Sequence, residues 1–242
     1  MKLSQYLSRG VFLSLFLLVN NVRAQDYNAY FSGGYGFSFG SYKGFDEFVN
    51  NYNSTRTWLD KPMPKAWELD GFCFGGGFNT DNLLVDFQWT GRHHVFEASG
   101  TQLSGVYGYR QVKYRANTFN IGIGVGQGRP PAKVFFGASL DFGFNHMYTR
   151  TWLKGEDKPD FESTLDSKQS LATTIFLDMR FGRKLSFGIK PYYQIHFFKH
   201  DFNNEEAMIN ESNNTFYLDD PKYDSAPNNF GIELKIFLNT EE

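Results

Sequence analysis

Five histidines are the residues of this 242-residue sequence with the clearest capacity for chemistry. An imidazole can act as a general base beside a serine and an acid, or it can bind a metal ion. All five lie where predicted strands meet long connections, at His93, His94, His146, His196 and His200. Their grouping at one end of the strands requires a test for a catalytic or metal site.

The spacing of these histidines argues against both kinds of site. The pairs Asp166-Ser167 and Asp224-Ser225 lie in predicted connections without an adjacent histidine, so no nucleophile and base are paired. Adjacent residues of a strand face opposite sides, so only one of His93 and His94 can join a given set of ligands. The sequence therefore predicts no catalytic residue, no metal and no cofactor.

Eight charged residues lie on the polar side of segments whose residues alternate between polar and apolar. Four of each sign could neutralise one another in the narrow interior of a barrel, which makes a structural network the leading interpretation. The alternative is that they line a water-filled pore. The residues are Asp86, Asp141, Asp178 and Glu233, with Arg92, Arg180, Lys190 and Lys235.

Two long polar stretches contain more aromatic residues than a solvated loop needs. Trp58 and Trp67 lie in the stretch 41–69, and Phe216 and Tyr217 lie in the stretch 201–227. Exposed aromatic side chains are typical of protein interfaces, so these four are candidate partner-binding residues. The alternative is that they pack on one another over the mouth of the fold.

The elements that position these residues are strands, because apolar residues recur with a period of two from residue 27 onward. Short connections rich in turn-forming residues alternate with long polar ones, which favours an up-and-down barrel. The short connections are 79–82, 126–131 and 182–184, and the long ones are 41–69, 97–105, 149–168 and 201–227. The predicted strands are 27–40, 70–79, 83–96, 106–126, 133–148, 169–181, 185–200 and 228–238.

The N-terminus has the pattern of a secretory signal peptide. Lys2 and Arg9 precede a short apolar run, and Val22-Arg23-Ala24 predicts cleavage after Ala24. Residues 1–24 are thus a cleaved signal, and 25–242 form a single domain. The chain has a net charge of −2, and loss of three basic residues with the signal would leave about −5, so nucleic acid is excluded as a partner.

The polar side of the segments favours a membrane barrel over a soluble one. A soluble barrel would expose its glycines to water and fill its centre with phenylalanine, whereas glycine, serine and paired charges suit the interior of a narrow membrane barrel. An even number of strands places both termini on one side. The predicted fold is all-β: an eight-stranded antiparallel up-and-down transmembrane β-barrel with short periplasmic turns and long extracellular loops.

The final segment 229–236 resembles the β-signal read by the barrel-assembly machinery, although aliphatic residues replace aromatic ones. With the signal peptide and the eight segments, the chain resembles the small outer-membrane β-barrel families, in particular the Bacteroidota type. The resemblance implies a location in the Gram-negative outer membrane. It also implies contact with outer-membrane lipid, lipopolysaccharide and the barrel-assembly machinery.

Three functions follow from these observations. The leading hypothesis is a non-enzymatic structural or accessory subunit of a larger envelope complex for secretion or assembly, since some members of the resembled family have that role. The second is a narrow channel or small-ligand binder at the barrel mouth. The third is a lipid A modifying enzyme, because such enzymes occur on similar barrels.

Overall fold

The computed structural model describes residues 28–40, 42–65, 67–163, 168–203 and 223–240. The predicted signal peptide lies outside these residues. The elements in chain order are β1 (Asn28–Gly40), α1 (Lys43–Ser54), β2 (Leu59–Lys61), β3 (Trp67–Asn79), β4 (Leu83–Thr101), β5 (Tyr107–Arg129), β6 (Ala132–Leu153), β7 (Glu162–Ser163), β8 (Lys168–Gly182), β9 (Leu185–His196), β10 (His200–Asp201), β11 (Asp224–Ser225) and β12 (Asn229–Asn239).

Eight long strands form a closed antiparallel barrel. Each pairs with the next long strand along the chain, in the order β1, β3, β4, β5, β6, β8, β9 and β12. The pairing of β12 with β1 closes the ring, with Gly36 opposite Glu233. The predicted eight-stranded up-and-down barrel is confirmed.

The two ends of the barrel differ, as the sequence predicts. At the turn end the connections are residues 80–82, 130–131 and 183–184. The first is held by Thr80, whose hydroxyl accepts hydrogen bonds from the backbone N–H groups of Asn82 (3.2 Å) and Leu83 (3.0 Å). The first strand starts and the last strand ends at this end of the barrel.

Several boundaries at the other end, the loop end, differ from the prediction. The predicted long connection 97–105 is wrong, because β4 continues to Thr101 and a short turn at 102–106 leads into β5. β6 continues to Leu153, and β9 ends at His196 rather than at residue 200. The length of each strand depends on how far it pairs with its neighbours. The period of two within a single segment does not show where that pairing ends.

The outer wall of the barrel is a continuous apolar belt. Its members in β5 are each about half exposed: Phe119 (52%), Ile121 (51%), Ile123 (52%) and Val125 (57%). Exposing so many apolar side chains to water is unfavourable, whereas lipid chains can contact them. The barrel therefore has the surface of a transmembrane protein. Among the described residues, no helix combines the length and hydropathy that crossing a membrane requires.

The lumen near the turn end is packed with aromatic rings, which the predicted interior of glycine, serine and paired charges did not include. The inward apolar side chains are Tyr30, Leu84, Phe135, Phe176, Tyr192 and Phe237. Glycines on neighbouring strands make room for them. A Cβ at Gly137 would lie 2.6 Å from Cζ of Phe176, and one at Gly188 would lie 2.5 Å from Cε2 of Phe237. Pairing large with small residues therefore fills the narrow lumen.

Helix α1 closes the loop end of the lumen. Its buried face follows the helical spacing of Phe45, Phe48, Val49 and Tyr52. This face packs on inward side chains of the barrel in one apolar cluster, which includes Phe96, Val112, Tyr114, Met147 and Phe202. The predicted loop 41–69 thus contains a helix that plugs the barrel mouth, together with β2 and the start of β3.

Candidate functional site

All eight predicted lumen charges are buried inside the barrel. Three cations lie directly against carboxylates: Arg92 Nη2 is 2.6 Å from Glu233 Oε1, Lys190 Nζ is 3.0 Å from Asp86 Oδ2, and Arg180 Nη2 is 2.8 Å from Asp178 Oδ2. Lys235 Nζ is 3.1 Å from Glu233 Oε2. These buried charges thus have an opposite charge at hydrogen-bond distance, which offsets the cost of removing them from water.

Neutral side chains complete this network, and Gln88 is the main one that sequence reasoning missed. Its amide donates to Glu233 Oε1 (2.9 Å) and Oε2 (3.0 Å), while Lys235 donates to its Oε1. The Tyr30 hydroxyl donates to Asp86 Oδ1 at 2.7 Å. Gln88 lies two positions after Asp86 on the same strand face, and that spacing could have indicated it.

Asp141 is held differently from the other lumen carboxylates. Its oxygens accept hydrogen bonds from Asn120 Nδ2 (2.7 Å), Ser139 Oγ (2.6 Å) and Gln194 Nε2 (2.8 Å), and from the Thr174 hydroxyl. These donors are neutral, so the prediction of four matched ion pairs does not describe Asp141. Several neutral hydrogen bonds can stabilise a buried carboxylate in place of a cation.

The polar part of the lumen leaves little free space. Two cavities there have volumes of about 20 Å³ each, one beside Thr90 and Asn145 and one beside Asn120 and Lys190. Each is close to the volume that a single water molecule needs. Side chains therefore fill most of this polar part of the lumen.

The five histidines have different surroundings, and the prediction that Asp224-Ser225 has no adjacent histidine is wrong, because Ser225 pairs with His200 across β10 and β11. His93 is exposed on the outer side of β4, whereas the ring of His94 lies 4.7 Å from that of Phe96. His196 and His200 are neighbours, with ring centroids 5.8 Å apart. Within the described ranges, no three His, Cys, Asp or Glu side chains are grouped to hold a metal ion.

His200 is a buried structural residue behind the plug. Hydrogen bonds join its Nδ1 to the Tyr114 hydroxyl (3.4 Å) and its Nε2 to the Asn145 amide (3.3 Å). Burial lowers the pKa of His200 to about 3, and the positive charges of His196 and Lys168 act in the same direction. The imidazole is therefore neutral at physiological pH.

Three strands continue beyond the apolar belt at the loop end. A tilted strand crosses a bilayer in about 9–11 residues, whereas β5 has 23 and β6 has 22. On the outward side of β5, apolar positions end at Phe119 and are followed by Asn117, Arg115, Lys113 and Gln111. The parts of β4, β5 and β6 that lie beyond the apolar belt form a sheet outside the membrane, here called the projecting sheet.

Aromatic and cationic side chains cover one face of the projecting sheet. The rings of Tyr109 and Trp152 are stacked, with centroids 5.0 Å apart and an interplanar angle of 9°. The Arg150 guanidinium lies 3.8 Å from the Phe161 ring centroid, and Lys158 Nζ lies 4.9 Å from that of Trp152. Cation–π contacts of this kind hold the surface rigid without burying it.

A polar ladder crosses the strands beside these rings. Arg150 donates from Nε (2.9 Å) and Nη2 (2.8 Å) to Gln111 Oε1, and the Gln111 amide donates to Glu97 Oε2 at 2.5 Å. Glu97 in turn pairs with Lys61 at 3.3 Å. Cross-strand pairs of this kind stabilise the sheet beyond the membrane.

An open cavity of about 500 Å³, here called the outer cleft, lies between the end of α1 and the projecting sheet. Its volume is within the range of small-molecule and peptide sites. Two arginines line it and no acidic residue does, so it favours anionic groups. The residues that define it are Tyr52, Thr55, Arg56, Trp58, Gln102, Arg110 and Thr151.

The four predicted partner-binding residues have different positions. Trp58 lines the outer cleft. Trp67 is the first residue of β3 and pairs with Gly40, so its placement in a loop is wrong. Phe216 and Tyr217 lie outside the described residues. Sequence reasoning did not select Tyr109, Trp152 and Phe161. Tyr109 lies within the predicted strand 106–126, and Trp152 and Phe161 lie within the predicted connection 149–168.

The chain matches no protein-family model and no curated protein. Among solved structures it is similar to Ail, the attachment invasion locus protein of Yersinia pestis, at 12% identity and a TM-score of 0.43, over 88% of this chain and 98% of that one. It is also similar to Neisserial surface protein A, at 8% identity and a TM-score of 0.41, over 89% of this chain and 97% of that one. These values carry no inference about function.

Proposed function

We propose that this protein is a non-enzymatic barrel of the Gram-negative outer membrane that serves as an accessory subunit of an envelope complex. In this proposal the barrel is an anchor, and the projecting sheet with its outer cleft binds another envelope protein. The observation that carries it is the extension of β4, β5 and β6 beyond the apolar belt, with Tyr109 and Trp152 stacked on the exposed face.

The composition of the projecting sheet supports binding to a protein. Tyrosine, tryptophan and arginine are the residue types most enriched at interface hot spots, and all three are present in the set Tyr109, Trp152 and Arg150. They are held by ring stacking and by the Gln111 ladder, so little side-chain entropy is lost on binding. Arg56 and Arg110 in the outer cleft favour a partner with an acidic segment.

The double substitution Tyr109→Ala with Trp152→Ala tests this proposal. The tagged protein is isolated from its native outer membranes in mild detergent, and co-purifying proteins are quantified. We expect the same partner with wild type and with Phe198→Ala, a control that removes an exposed ring from another connection at the loop end. Recovery of the partner falls about tenfold or more in the double variant, equivalent to the loss of one hot spot.

Two outcomes would contradict the proposal. One is a wild-type protein that always runs alone after gentle extraction. The other is a partner that is lost equally in the double variant and in Phe198→Ala, because the projecting sheet would then have no special role.

The alternative of a narrow channel is opposed by the packing of the lumen. Buried ion pairs, the aromatic rings near the turn end and helix α1 occupy successive levels along the axis. We expect planar bilayers containing the purified protein to show no stepwise current. Reproducible single-channel steps from the folded protein would favour the channel.

The alternative of a lipid A modifying enzyme has a direct test in the buried histidines. His196→Ala and His200→Ala should leave the lipid A profile of the cell unchanged, since in our proposal His200 has a structural role through its hydrogen bonds to Tyr114 and Asn145. A changed profile in either variant would instead support enzymatic activity.

A further inference from the structure

A cavity of about 180 Å³ opens at the turn end of the barrel, at the opposite end from the outer cleft. Residues near the starts and ends of the long strands line it, and we call it the turn-end cavity. Basic and amide side chains dominate its walls, among them Lys133, Arg180, Arg183, Asn79 and Asn239, and Asp81 is the one carboxylate that the described residues contribute to them.

Arg180 forms the buried floor of this cavity, with 4% of its surface exposed. Its Nε and Nη2 both donate to Asp178 Oδ2, at 3.2 and 2.8 Å. Its guanidinium carbon lies 4.1 Å from the ring centroid of Phe237 and 4.2 Å from that of Tyr30. These contacts fix the plane of the guanidinium group.

The remaining nitrogen of Arg180, Nη1, is buried and has no hydrogen-bond partner within the described part of the chain. A buried charged donor without an acceptor is costly, and a water molecule or an anion from outside the chain can supply the missing acceptor. Oδ1 of Asp178 also has no hydrogen-bond partner among the described residues. The Arg180 side chain lines the turn-end cavity, so an anion bound there would lie beside its guanidinium group.

Lys133 supplies a second positive charge on the cavity wall. Its Nζ donates to Asn79 Oδ1 at 3.0 Å and lies 3.9 Å from Asp81 Oδ1. Asp81 is also shared with Arg129 at 3.5 Å, outside the cavity. Arg183 adds a third cation, so the described side chains that line the cavity carry three positive charges and one negative charge.

From this geometry we propose that the turn-end cavity binds a small oxyanion of the phosphate class, with Arg180 and Lys133 as its main ligands. A tetrahedral oxyanion presents several acceptors, so it can accept hydrogen bonds from a guanidinium and an ammonium together. Its size fits, since a cavity of about 150 Å³ is large enough for benzene. The group is either free phosphate or the phosphate of a lipid headgroup.

Titration of the full chain with inorganic phosphate tests the site. The protein is purified in an uncharged detergent without phosphate, and binding is followed by calorimetry. We expect saturable binding at one site, weakened about tenfold in Lys133→Gln by the loss of a charge-assisted hydrogen bond. Arg129→Gln removes the same charge from a neighbouring exposed position outside the cavity, and we expect its affinity within about twofold of wild type.

A second variant tests the role of the guanidinium group. Arg180→Lys retains the positive charge but replaces three guanidinium nitrogens with one ammonium nitrogen. We expect weaker phosphate binding, and we expect the barrel to remain folded, as judged by its migration on unheated gels. Absence of saturable binding to folded wild-type protein overturns the proposal. Equal weakening in Lys133→Gln and Arg129→Gln also overturns it, because the effect would then be general surface charge.

The source of the phosphate group is assigned by competition. The titration is repeated in micelles that contain phosphatidic acid or an uncharged lipid. Loss of inorganic phosphate binding only with phosphatidic acid supports the site and assigns a lipid headgroup. Unchanged binding in both supports the site and assigns free phosphate.

Discussion

Glu233 is the lumen carboxylate that two cations share, since Arg92, Lys235 and Gln88 all contact it. Replacing it with alanine leaves two buried cations without their partner, and we expect a loss of about 3–5 kcal/mol in the free energy of unfolding. Urea unfolding of protein refolded in detergent measures this change.

Glu97→Ala is the matched control for that substitution. It removes the pair with Lys61 and the hydrogen bond from Gln111. The Lys61 side chain is 63% exposed and that of Glu97 is 32% exposed, so the substitution should cost less than the loss of Glu233, about 1 kcal/mol. A Glu233 variant no less stable than the Glu97 variant would show that the lumen network contributes nothing to stability.

His200 predicts a dependence of stability on pH. Its pKa is about 3 in the folded protein and about 6.5 when unfolded, so the unfolded chain binds a proton more readily. The contribution of the neutral His200 side chain to the free energy of unfolding is fully present above pH 6.5 and is lost as the pH falls toward 3. Thermal unfolding at pH 7.5 and pH 5 should therefore show a lower midpoint at pH 5.

The histidine variants identify the residue responsible. His200→Gln should reduce the difference in midpoint between the two pH values, because the group that titrates on unfolding is removed. His93→Gln, at an exposed position, should retain the wild-type difference. Equal pH dependence in wild type and His200→Gln would contradict the assignment.

At the scale of elements, helix α1 is stabilised by its apolar face, which is buried in the barrel mouth. The Phe45 ring is fully buried, with its centroid 4.6 Å from that of Phe96 and 5.6 Å from that of Phe48. We expect Phe45→Ala to destabilise the plug by about 3–5 kcal/mol. The barrel strands should persist, so limited proteolysis should cut within 41–66 while the unheated barrel still migrates as folded.

Leu103→Ala gives the comparison for the plug, since this side chain is 98% exposed in the β4–β5 turn. Its effect should be within about 0.5 kcal/mol, and its proteolytic pattern should match wild type. Protection of 41–66 in Phe45→Ala equal to that in wild type would mean that α1 is held by something other than this ring.

At the scale of the whole molecule, the apolar belt decides where the barrel is stable. Ile121 lies near the middle of the belt in β5, so Ile121→Arg should destabilise the folded barrel in vesicles by about 2–4 kcal/mol. Val106→Arg introduces the same residue just before β5, beyond the belt, and should cost about 0–1 kcal/mol. The folded fraction after insertion, read from unheated gels, gives both values, and equal costs would contradict a lipid-facing belt.

The sequence alone determined the eight long strands of the barrel, apart from their boundaries, and the face that their residues occupy. Alternation with a period of two is a local property, so Phe119 and Ile121 could be placed outward, and Asp86 and Glu233 inward, without knowledge of the pairing. The short turns were equally local, since their residues specify them.

Tertiary structure decided which inward residues meet and how far each strand continues. Gly137 and Phe176 are distant in sequence, and only the register of β6 on β8 reveals that one makes room for the other. Helix α1 gains its stability by burying its apolar face in the barrel mouth, and β4 to β6 extend because they pair beyond the membrane. These features depend on contacts between distant parts of the chain, which the pattern within a single segment does not contain.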